Sequence, residues 1–195
     1  MAMPAHRAAK RRWTVEEFYK ARDAAPAGER WELVDGEVLV TPSPHWVHQR
    51  AVLRLFELIA PYVRASALGE CFVSPLDVLL EPGLVLQPDL LVVPNGELRS
   101  RSDVIRRLLL AVEIVSPSSA RHDRVTKRPA YQRNRVSEYW VFDEPSRTVE
   151  RWRPADERPE ILSEQLVWTP ASAREPFILA LPAFFIGLAP EDETT

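Results

Sequence analysis

Hydrophobic and polar positions near the start of the chain predict a short helix followed by a β-hairpin. Thr14 is a good helix N-cap and Glu17 stands three residues later, which is the capping-box pattern of a helix over residues 14–21. Two apolar runs, residues 31–34 and 37–41, flank Asp35-Gly36. Because Asp-Gly readily adopts the positive φ angles of a type I′ turn, the two runs predict antiparallel strands joined by a tight hairpin.

A longer amphipathic helix is predicted after the hairpin. Ser43-Pro44 is a typical helix start, with the serine as N-cap and the proline in the first turn. Apolar residues then recur at spacings of three and four, which predicts one buried stripe formed by Val52, Leu55, Phe56, Ile59 and Val63. The helix is expected to end between residues 65 and 69.

The remaining pattern predicts strands and one further helix. Residues 70–80 and 84–93 predict two strands, and residues 108–115, the most apolar run, predict a central strand. A helix is expected from near residue 119 to about residue 134, starting late or bending because Pro129 removes a helical hydrogen bond. Residues 138–143 and 148–153 predict a second hairpin, and a last strand is expected within residues 161–168. This order predicts an α+β fold with a central mixed β-sheet flanked by helices.

Length and composition narrow the class of protein. The 195 residues suit one domain, expected over residues 13–188 between a disordered basic tail (1–12) and a disordered acidic tail (189–195). No apolar run approaches the roughly 20 residues that span a bilayer, and no apolar segment follows the basic start as in a secretory signal. The single Cys71 excludes an internal disulfide framework and a cysteine-rich zinc site. A cytoplasmic protein without membrane contact is therefore expected.

The net charge of the chain and the local charge of one segment give opposite indications about nucleic-acid binding. The net charge of −3 argues mildly against binding through bulk electrostatics. Residues 121–135, however, are strongly basic, and Arg121, Arg124 and Arg128 are candidate ligands of a phosphate backbone beside a site. The alternative is an ordinary solvated helix face. Lysine occurs elsewhere only at positions 10 and 20, so Lys127 stands out in a chain where arginine is the default cation.

Two acidic residues stand in or beside apolar strands. Asp89 lies within residues 85–93 and Glu113 within residues 108–115. A buried carboxylate is costly unless it is compensated, and two close carboxylates repel each other, so convergence of the pair would favour a hard divalent cation. Strand alternation places Glu113 on the face of Ala111 and Val115. The alternatives are a turn at Asp89 and an ordinary arginine partner for Glu113.

Lys127 lies on the helix that follows the strand of Glu113. Such a helix packs back on the sheet, so a long side chain on its inner face can reach the carboxylates. In phosphodiester hydrolysis a lysine there can orient or deprotonate the attacking water, or neutralise the phosphate. The alternative is an exposed ion pair between Asp123 and Lys127 at i,i+4 spacing.

Taken together, these residues resemble one branch of a known superfamily. Pro88-Asp89, residues 113–118 (Glu-Ile-Val-Ser-Pro-Ser), Lys127, Tyr131 and residues 138–143 (Glu-Tyr-Trp-Val-Phe-Asp) resemble the Uma-type branch of the PD-(D/E)XK nuclease superfamily, whose members are labelled restriction endonucleases. The hairpin over residues 32–37 and the helix start over residues 43–48 resemble it too, and the likeness covers about residues 14–153.

The resemblance implies a restriction-endonuclease-like fold with Asp89 and Glu113 as ligands of Mg²⁺ or Mn²⁺ and Lys127 as the catalytic lysine. That lysine normally stands two residues after the Glu, where this chain has Val115. A second departure is Arg135, which replaces a common glycine. Asn134 is therefore expected to take the left-handed conformation at the helix end.

Two further polar residues are candidates for supporting roles. His48 could lie beside the metal site or touch a phosphate, with packing or solvent contact as the alternative. It stands three residues after His45, but no cysteine or third histidine completes a zinc site. Asp77 could support the metal ligands from behind, or it could be an exposed strand residue.

Three functional hypotheses follow. The first is a metal-dependent endonuclease acting on DNA, for which a homodimer is plausible, since double-strand cleavage often uses two sites. The second is a catalytically weak module on the same fold that binds nucleic acid or protein. The third is a structural or dimerisation protein in which Asp89 and Glu113 lie far apart and pair with arginines.

Overall fold

The elements of the fold are taken from a computed structural model, which describes residues 12–100, 104–116 and 119–188. In chain order these elements are α1 (Val15–Asp23), β1 (Glu29–Val34), β2 (Glu37–Pro42), α2 (Trp46–Ala65), β3 (Gly69–Val73), β4 (Leu90–Pro94), β5 (Leu110–Ile114), a π-helical segment (His122–Lys127), α3 (Arg128–Arg133), β6 (Glu138–Asp143), β7 (Thr148–Trp152), β8 (Glu160–Leu162), β9 (Gln165–Trp168), β10 (Phe177–Ala180) and α4 (Leu181–Ile186).

A six-stranded mixed sheet is the centre of the fold. Its strand order is β3-β4-β5-β6-β7-β8, and β5 and β6 run parallel while the other neighbours are antiparallel. The predicted α+β class with a central mixed sheet flanked by helices is confirmed. The apolar run around Glu113 forms β5, an interior strand, as its composition predicts.

The two strands expected over residues 70–80 and 84–93 are shorter than predicted. Only Gly69–Val73 and Leu90–Pro94 pair as strands, and the chain between them forms bends joined by isolated bridges. Pro75, Pro82 and Pro88 have no N–H to donate, which prevents continuous ladders across these residues. Asp89 consequently lies immediately before β4 rather than inside a strand.

Side chains on the two faces of the sheet belong to different cores. Leu110, Val112 and Ile114 pack in one cluster with α2 and α4. Ala111 and Val115 pack in a second cluster that includes Tyr131 from α3. The predicted alternation along β5 is confirmed, and Glu113 therefore points to the side of α3 and the π-helical segment.

The N-terminal helix and hairpin form as local sequence chemistry predicts. The Thr14 hydroxyl accepts from the Glu17 backbone N–H at 3.2 Å, and the Glu17 carboxylate accepts from the Thr14 N–H at 3.0 Å. Asp35 and Gly36 have φ angles of 52° and 79°, as a type I′ turn requires. The hairpin is joined to the rest of the chain by a bridge between Leu33 and Val85.

Helix α2 begins later than predicted. His45, not Ser43, is the N-cap, and its Nδ1 accepts from the Val47 backbone N–H. The Ser43 hydroxyl instead donates to the carbonyl of Gly28, a contact distant in sequence that competes with capping. The predicted stripe is buried at four of its five positions, with Phe56 partly buried, and the helix ends at Ala65 as expected.

A local change of helical type accommodates Pro129. A π-helical segment precedes it, and Pro129 lies in the first turn of α3, where no helical N–H is required. The expectation for Asn134 is wrong: its φ is −86°, and Arg135 itself adopts the left-handed conformation with φ 54°. A non-glycine residue therefore holds the left-handed position at the end of this helix.

The C-terminal part contains more secondary structure than the single strand predicted for residues 161–168. That stretch holds β8, which extends the central sheet, and β9, which pairs with β10 in a separate two-stranded sheet. Phe184 and Phe185 of α4 then pack in the core beside α2. Apart from Arg12, the two predicted tails lie outside the described residues, and the division into tail, domain and tail stays a prediction.

No helix within residues 12–100, 104–116 and 119–188 has the length and apolar character required to cross a bilayer.

Candidate active site

Asp89, immediately before β4, and Glu113, within β5, lie side by side. Leu90 pairs with Val112 in the antiparallel register of β4 and β5, so the preceding Asp89 stands opposite the end of β5. The Ile114 backbone N–H donates to Asp89 Oδ2 at 2.7 Å. Both carboxylates are buried, with exposures of 2% for Asp89 and 0% for Glu113. The two acids that the sequence singled out therefore meet at one end of the sheet.

Lys127 reaches the same point from the π-helical segment. Its Nζ lies 3.1 Å from Glu113 Oε1, 2.7 Å from Glu32 Oε2 and 3.0 Å from Asp123 Oδ1. The alternative ion pair between Lys127 and Asp123 at i,i+4 spacing does form, but it is buried rather than exposed. Glu113 binds the same ammonium. The ammonium is therefore held by three carboxylates, one of which is also a candidate metal ligand.

Arg30 stands between the two acids. Its Nη1 lies 2.5 Å from Asp89 Oδ1 and 3.8 Å from Glu113 Oε2, and its Nε lies 3.9 Å from Glu32 Oε2. The third hypothesis expected acids that were far apart and paired with arginines. Asp89 does have an arginine partner, but the acids are adjacent and share it.

Neighbouring side chains orient the two carboxylates. His48, in the first turn of α2, places Nε2 at 3.0 Å from Asp89 Oδ2, and Tyr131 donates its hydroxyl to Glu113 Oε1 at 3.2 Å. Among the described residues, Asp77 has no hydrogen bond or ion pair with either acid. It pairs with Arg22 at 2.8 Å and accepts from Gln87 Nε2 at 2.7 Å, and the Gln87 carbonyl accepts in turn from Arg30.

Burial and neighbouring charges shift the pKa values of the two acids in opposite directions. Burial raises the pKa of Asp89, but the hydrogen bond with His48 and the charge of Arg30 outweigh this effect and leave that pKa below its usual value. Burial dominates at Glu113 and raises its pKa well above the ordinary value, despite the opposing charge of Lys127. Burial alone would lower the pKa of Lys127, but Asp123, Glu113 and Glu32 raise it above its usual value. Lys127 is therefore cationic at neutral pH.

The donor set fits a hard divalent cation. Glu113 Oε2 is buried and accepts no hydrogen bond within the described residues, and four carboxylates meet only two permanent cations, Arg30 and Lys127. Among those residues no group of three or more His, Cys, Asp or Glu could hold a metal ion. Two carboxylates nevertheless suit Mg²⁺, which commonly keeps several water ligands and takes one or two protein carboxylates.

A cavity of about 470 Å³ opens beside this cluster. Asp89, Arg30 and His48 are among its lining residues, and Glu113 and Lys127 are not. Its other walls come from the β1–β2 hairpin, the start of α2 and the segments after β3 and β5; they include Thr41, Ser43, His45, Ser74, Ser116 and Ser119. Arg30 and Asp89 therefore separate the cavity from the buried lysine and glutamate.

The three arginines considered for phosphate binding differ in their surroundings. Arg124 pairs with Asp143 at 2.6 Å and also with Glu150. The Arg128 guanidinium lies 4.6 Å from the ring centroid of Trp152. Arg121 is exposed. Phosphate binding stays a prediction for all three, and Arg121 is the one whose side chain is the most open to a ligand.

Sequence reasoning missed Arg30 and Glu32 as members of the site. Glu32 is only 1% exposed although it stands in the apolar run before the Asp35-Gly36 turn. A charged residue in an apolar strand is the same signal that singled out Glu113, and it could have identified Glu32. Asp123, considered only as a surface partner of Lys127, is 0% exposed.

Comparisons with known proteins bear on the family and the fold of the chain. A family model described as Uma2, "Putative restriction endonuclease", matches residues 15–181. A crystal structure described as a "putative nuclease belonging to DUF820" from Anabaena variabilis is similar with a TM-score of 0.75 and 22% identity, covering 91% of this chain and 99% of that one. At this identity the likeness shows a shared fold. No curated protein sequence matches the chain. Because the family model spans most of its length, the chain belongs to the Uma2 family.

Proposed function

We propose that this protein is a Mg²⁺- or Mn²⁺-dependent endonuclease that hydrolyses phosphodiester bonds in DNA. The observation that carries this function is the convergence of Asp89 before β4, Glu113 in β5 and Lys127 in the π-helical segment around one buried point. The description of the Uma2 family, "Putative restriction endonuclease", and that of the similar structure, "putative nuclease", both support this reaction. The cavity beside Asp89 is where the scissile phosphate would bind.

Each residue has a distinct part in this reaction. A divalent cation held by Asp89 and Glu113 would supply charge stabilisation for the reacting phosphate and acidify water there. The Ile114 N–H and His48 fix the orientation of the Asp89 carboxylate, and Tyr131 fixes that of Glu113. Rigid positioning of this kind lowers the cost of reaching the transition state.

Lys127 acts as a hydrogen-bond donor and a positive charge rather than as a base. Its three carboxylate partners, all within 3.1 Å, stabilise the ammonium form. A permanently charged ammonium can orient a water or stabilise negative charge on the phosphate, but it has no lone pair to accept a proton. Of the roles open from sequence, deprotonation of the water is therefore the least supported.

Duplex cleavage would require two copies of the site or two successive binding events. We therefore include a homodimer in the proposed function, with Arg121 contacting the backbone beside the cavity. This arrangement would let a chain with a net charge of −3 bind DNA through a local basic surface.

A catalytically weak binding module is the second candidate, and one observation favours it. Arg30 already neutralises Asp89, so the fold does not require an ion for its stability. Such a module would bind DNA without binding Mn²⁺, whereas an endonuclease would bind both. Calorimetric titration with Mn²⁺ beside a DNA-binding assay discriminates between the two.

Cleavage of supercoiled plasmid with Mg²⁺ or Mn²⁺ tests the endonuclease directly. Asp89→Asn preserves the shape of the side chain and removes its charge, and it is expected to abolish cleavage. Arg133→Ala is the matched control, because Arg133 binds Asp35 and Glu81 away from the cavity. Cleavage that survives Asp89→Asn and Glu113→Gln would assign the activity to another site or to a contaminant.

A further inference from the structure

We infer that Arg30 is the resident cation of the metal position, and that it must leave Asp89 and Glu113 before a divalent ion can bind there. The inference rests on the proposed function, since it concerns the same two carboxylates. It assigns to Arg30 a role as positioning residue that controls how tightly the site holds its metal.

The contacts of Arg30 fall on the two carboxylate oxygens that have the fewest other partners. Asp89 Oδ2 is used by the Ile114 N–H and by His48, whereas Oδ1 faces Arg30 at 2.5 Å. Glu113 Oε1 receives Lys127 and Tyr131, whereas Oε2 lies 3.8 Å from Arg30 and accepts no hydrogen bond within the described residues. One guanidinium thus faces the pair of oxygens that remains for a metal.

Electrostatics makes the two cations competitors. A divalent ion bound to Asp89 and Glu113 would lie within a few ångströms of the guanidinium in its present position. Like charges at such a distance repel strongly in a partly buried site, where water screens them less, and they would also compete for the same oxygens. Simultaneous occupancy is therefore unfavourable.

Arg30 has a route out of the metal position that leaves the core intact. It lines the cavity, and its side chain is 17% exposed, whereas Lys127 on the other side of the acids is 1% exposed. The contacts of Arg30 with the Thr41 hydroxyl at 3.3 Å and with the Gln87 carbonyl at 3.4 Å are long. The guanidinium can therefore turn into the cavity, toward the place proposed for the phosphate.

Calorimetric titration with Mn²⁺ alone tests the inference on the full chain. Arg30→Ala and Arg30→Met remove the charge, and Arg30→Met keeps the apolar stem for packing. Both variants are expected to bind Mn²⁺ with a Kd roughly tenfold lower than that of the unmodified protein, a typical size for coupling between competing ligands. Arg30→Lys is expected to restore weak binding, and Arg133→Ala to leave the Kd unchanged.

Thermal melting gives a second readout that does not depend on cleavage. Without metal, Arg30→Met is expected to melt lower than the unmodified protein, and added Mn²⁺ is expected to raise its Tm by more. Equal Mn²⁺ affinity in the unmodified protein and both charge-removing variants would overturn the inference and leave the metal site standing. Absence of Mn²⁺ binding in every variant would overturn the metal site, and the role of Arg30 with it.

Discussion

The backbone N–H of Ile114 donates a hydrogen bond of 2.7 Å to Asp89 Oδ2. Because this donor belongs to β5, the Asp89 carboxylate is fixed relative to the strand that carries Glu113. His48 binds the same oxygen from α2, so β5 and α2 together fix the position of Oδ2. The site is thus preorganised by the pairing of β4 with β5 and by the docking of α2 on the sheet.

Replacement of His48 tests the importance of this orientation. His48→Ala is expected to weaken Mn²⁺ binding by about 10- to 100-fold, the usual effect of losing a group that orients a metal ligand. The apparent Mn²⁺ requirement of plasmid cleavage measures it. His45→Ala is the matched control, because His45 lines the same cavity but caps α2 instead of binding Asp89. Equal effects of the two changes would contradict a specific role for His48.

Removal of the Lys127 charge is expected to destabilise the fold and to impair cleavage. Lys127→Met leaves Glu32, Glu113 and Asp123 buried without their shared ammonium. Loss of one partner from such a buried cluster costs roughly 3–5 kcal/mol of unfolding free energy. Urea unfolding measures this cost. A decrease below about 1 kcal/mol would indicate that the cluster is exposed to water, as surface ion pairs are.

Arg135 offers a stabilising substitution that does not touch the site. Its φ of 54° is unfavourable for a side chain with a Cβ, so Arg135→Gly is expected to raise the unfolding free energy by about 1 kcal/mol. Asn134→Gly is the control and is expected to lower stability, because Asn134 has φ −86° and gains nothing from glycine. Urea unfolding of both variants measures the change in unfolding free energy. Destabilisation by Arg135→Gly would show that contacts of the Arg135 side chain stabilise the fold by more than its left-handed backbone conformation costs.

Arg121 and Arg124 are expected to differ in DNA binding. Arg121→Ala should weaken binding and reduce the slope of log K against log salt by about one, as loss of a phosphate contact does. Arg124→Ala should mainly lower stability, because Arg124 is bound to Asp143 and Glu150. Fluorescence anisotropy over a range of salt concentrations measures the slope. An unchanged slope for Arg121→Ala would exclude this phosphate contact.

The Cys71 thiol is expected to react slowly in the folded protein. Burial raises the pKa of Cys71 to about 12, although Arg64 opposes the shift, so little thiolate is present at pH 8. A chromogenic thiol reagent should modify the folded chain at least about a hundredfold more slowly than the urea-unfolded chain. Comparable rates would show that the thiol is accessible and ordinary in acidity.

Elements whose signals are local could be predicted from the sequence. The capping box at Thr14 and the Asp35-Gly36 turn depend on residues within one turn of each other, and both form as expected. The start of α2 could not be predicted, because the Ser43 hydroxyl binds the carbonyl of Gly28, a contact distant in sequence. Strands β9 and β10 are short and depend on each other, so neither has a periodic pattern of its own.

The residues of the candidate site likewise divide into those that have a signal in the sequence and those whose place depends on contacts distant in sequence. Asp89, Glu113 and Lys127 stood out because a charge in an apolar strand, or a rare lysine, needs a physical reason. Arg30 did not stand out, since arginine is abundant and its place between the acids depends on how the hairpin docks through the bridge of Leu33 with Val85. Periodicity contains no information about such docking.

The most direct measurement of the central claim is anomalous scattering from a crystal soaked with Mn²⁺. We expect one Mn²⁺ bound by the carboxylates of Asp89 and Glu113, with the Arg30 guanidinium displaced into the cavity. A fully soaked crystal with no anomalous peak between the two acids and with Arg30 still bound to Asp89 would contradict it.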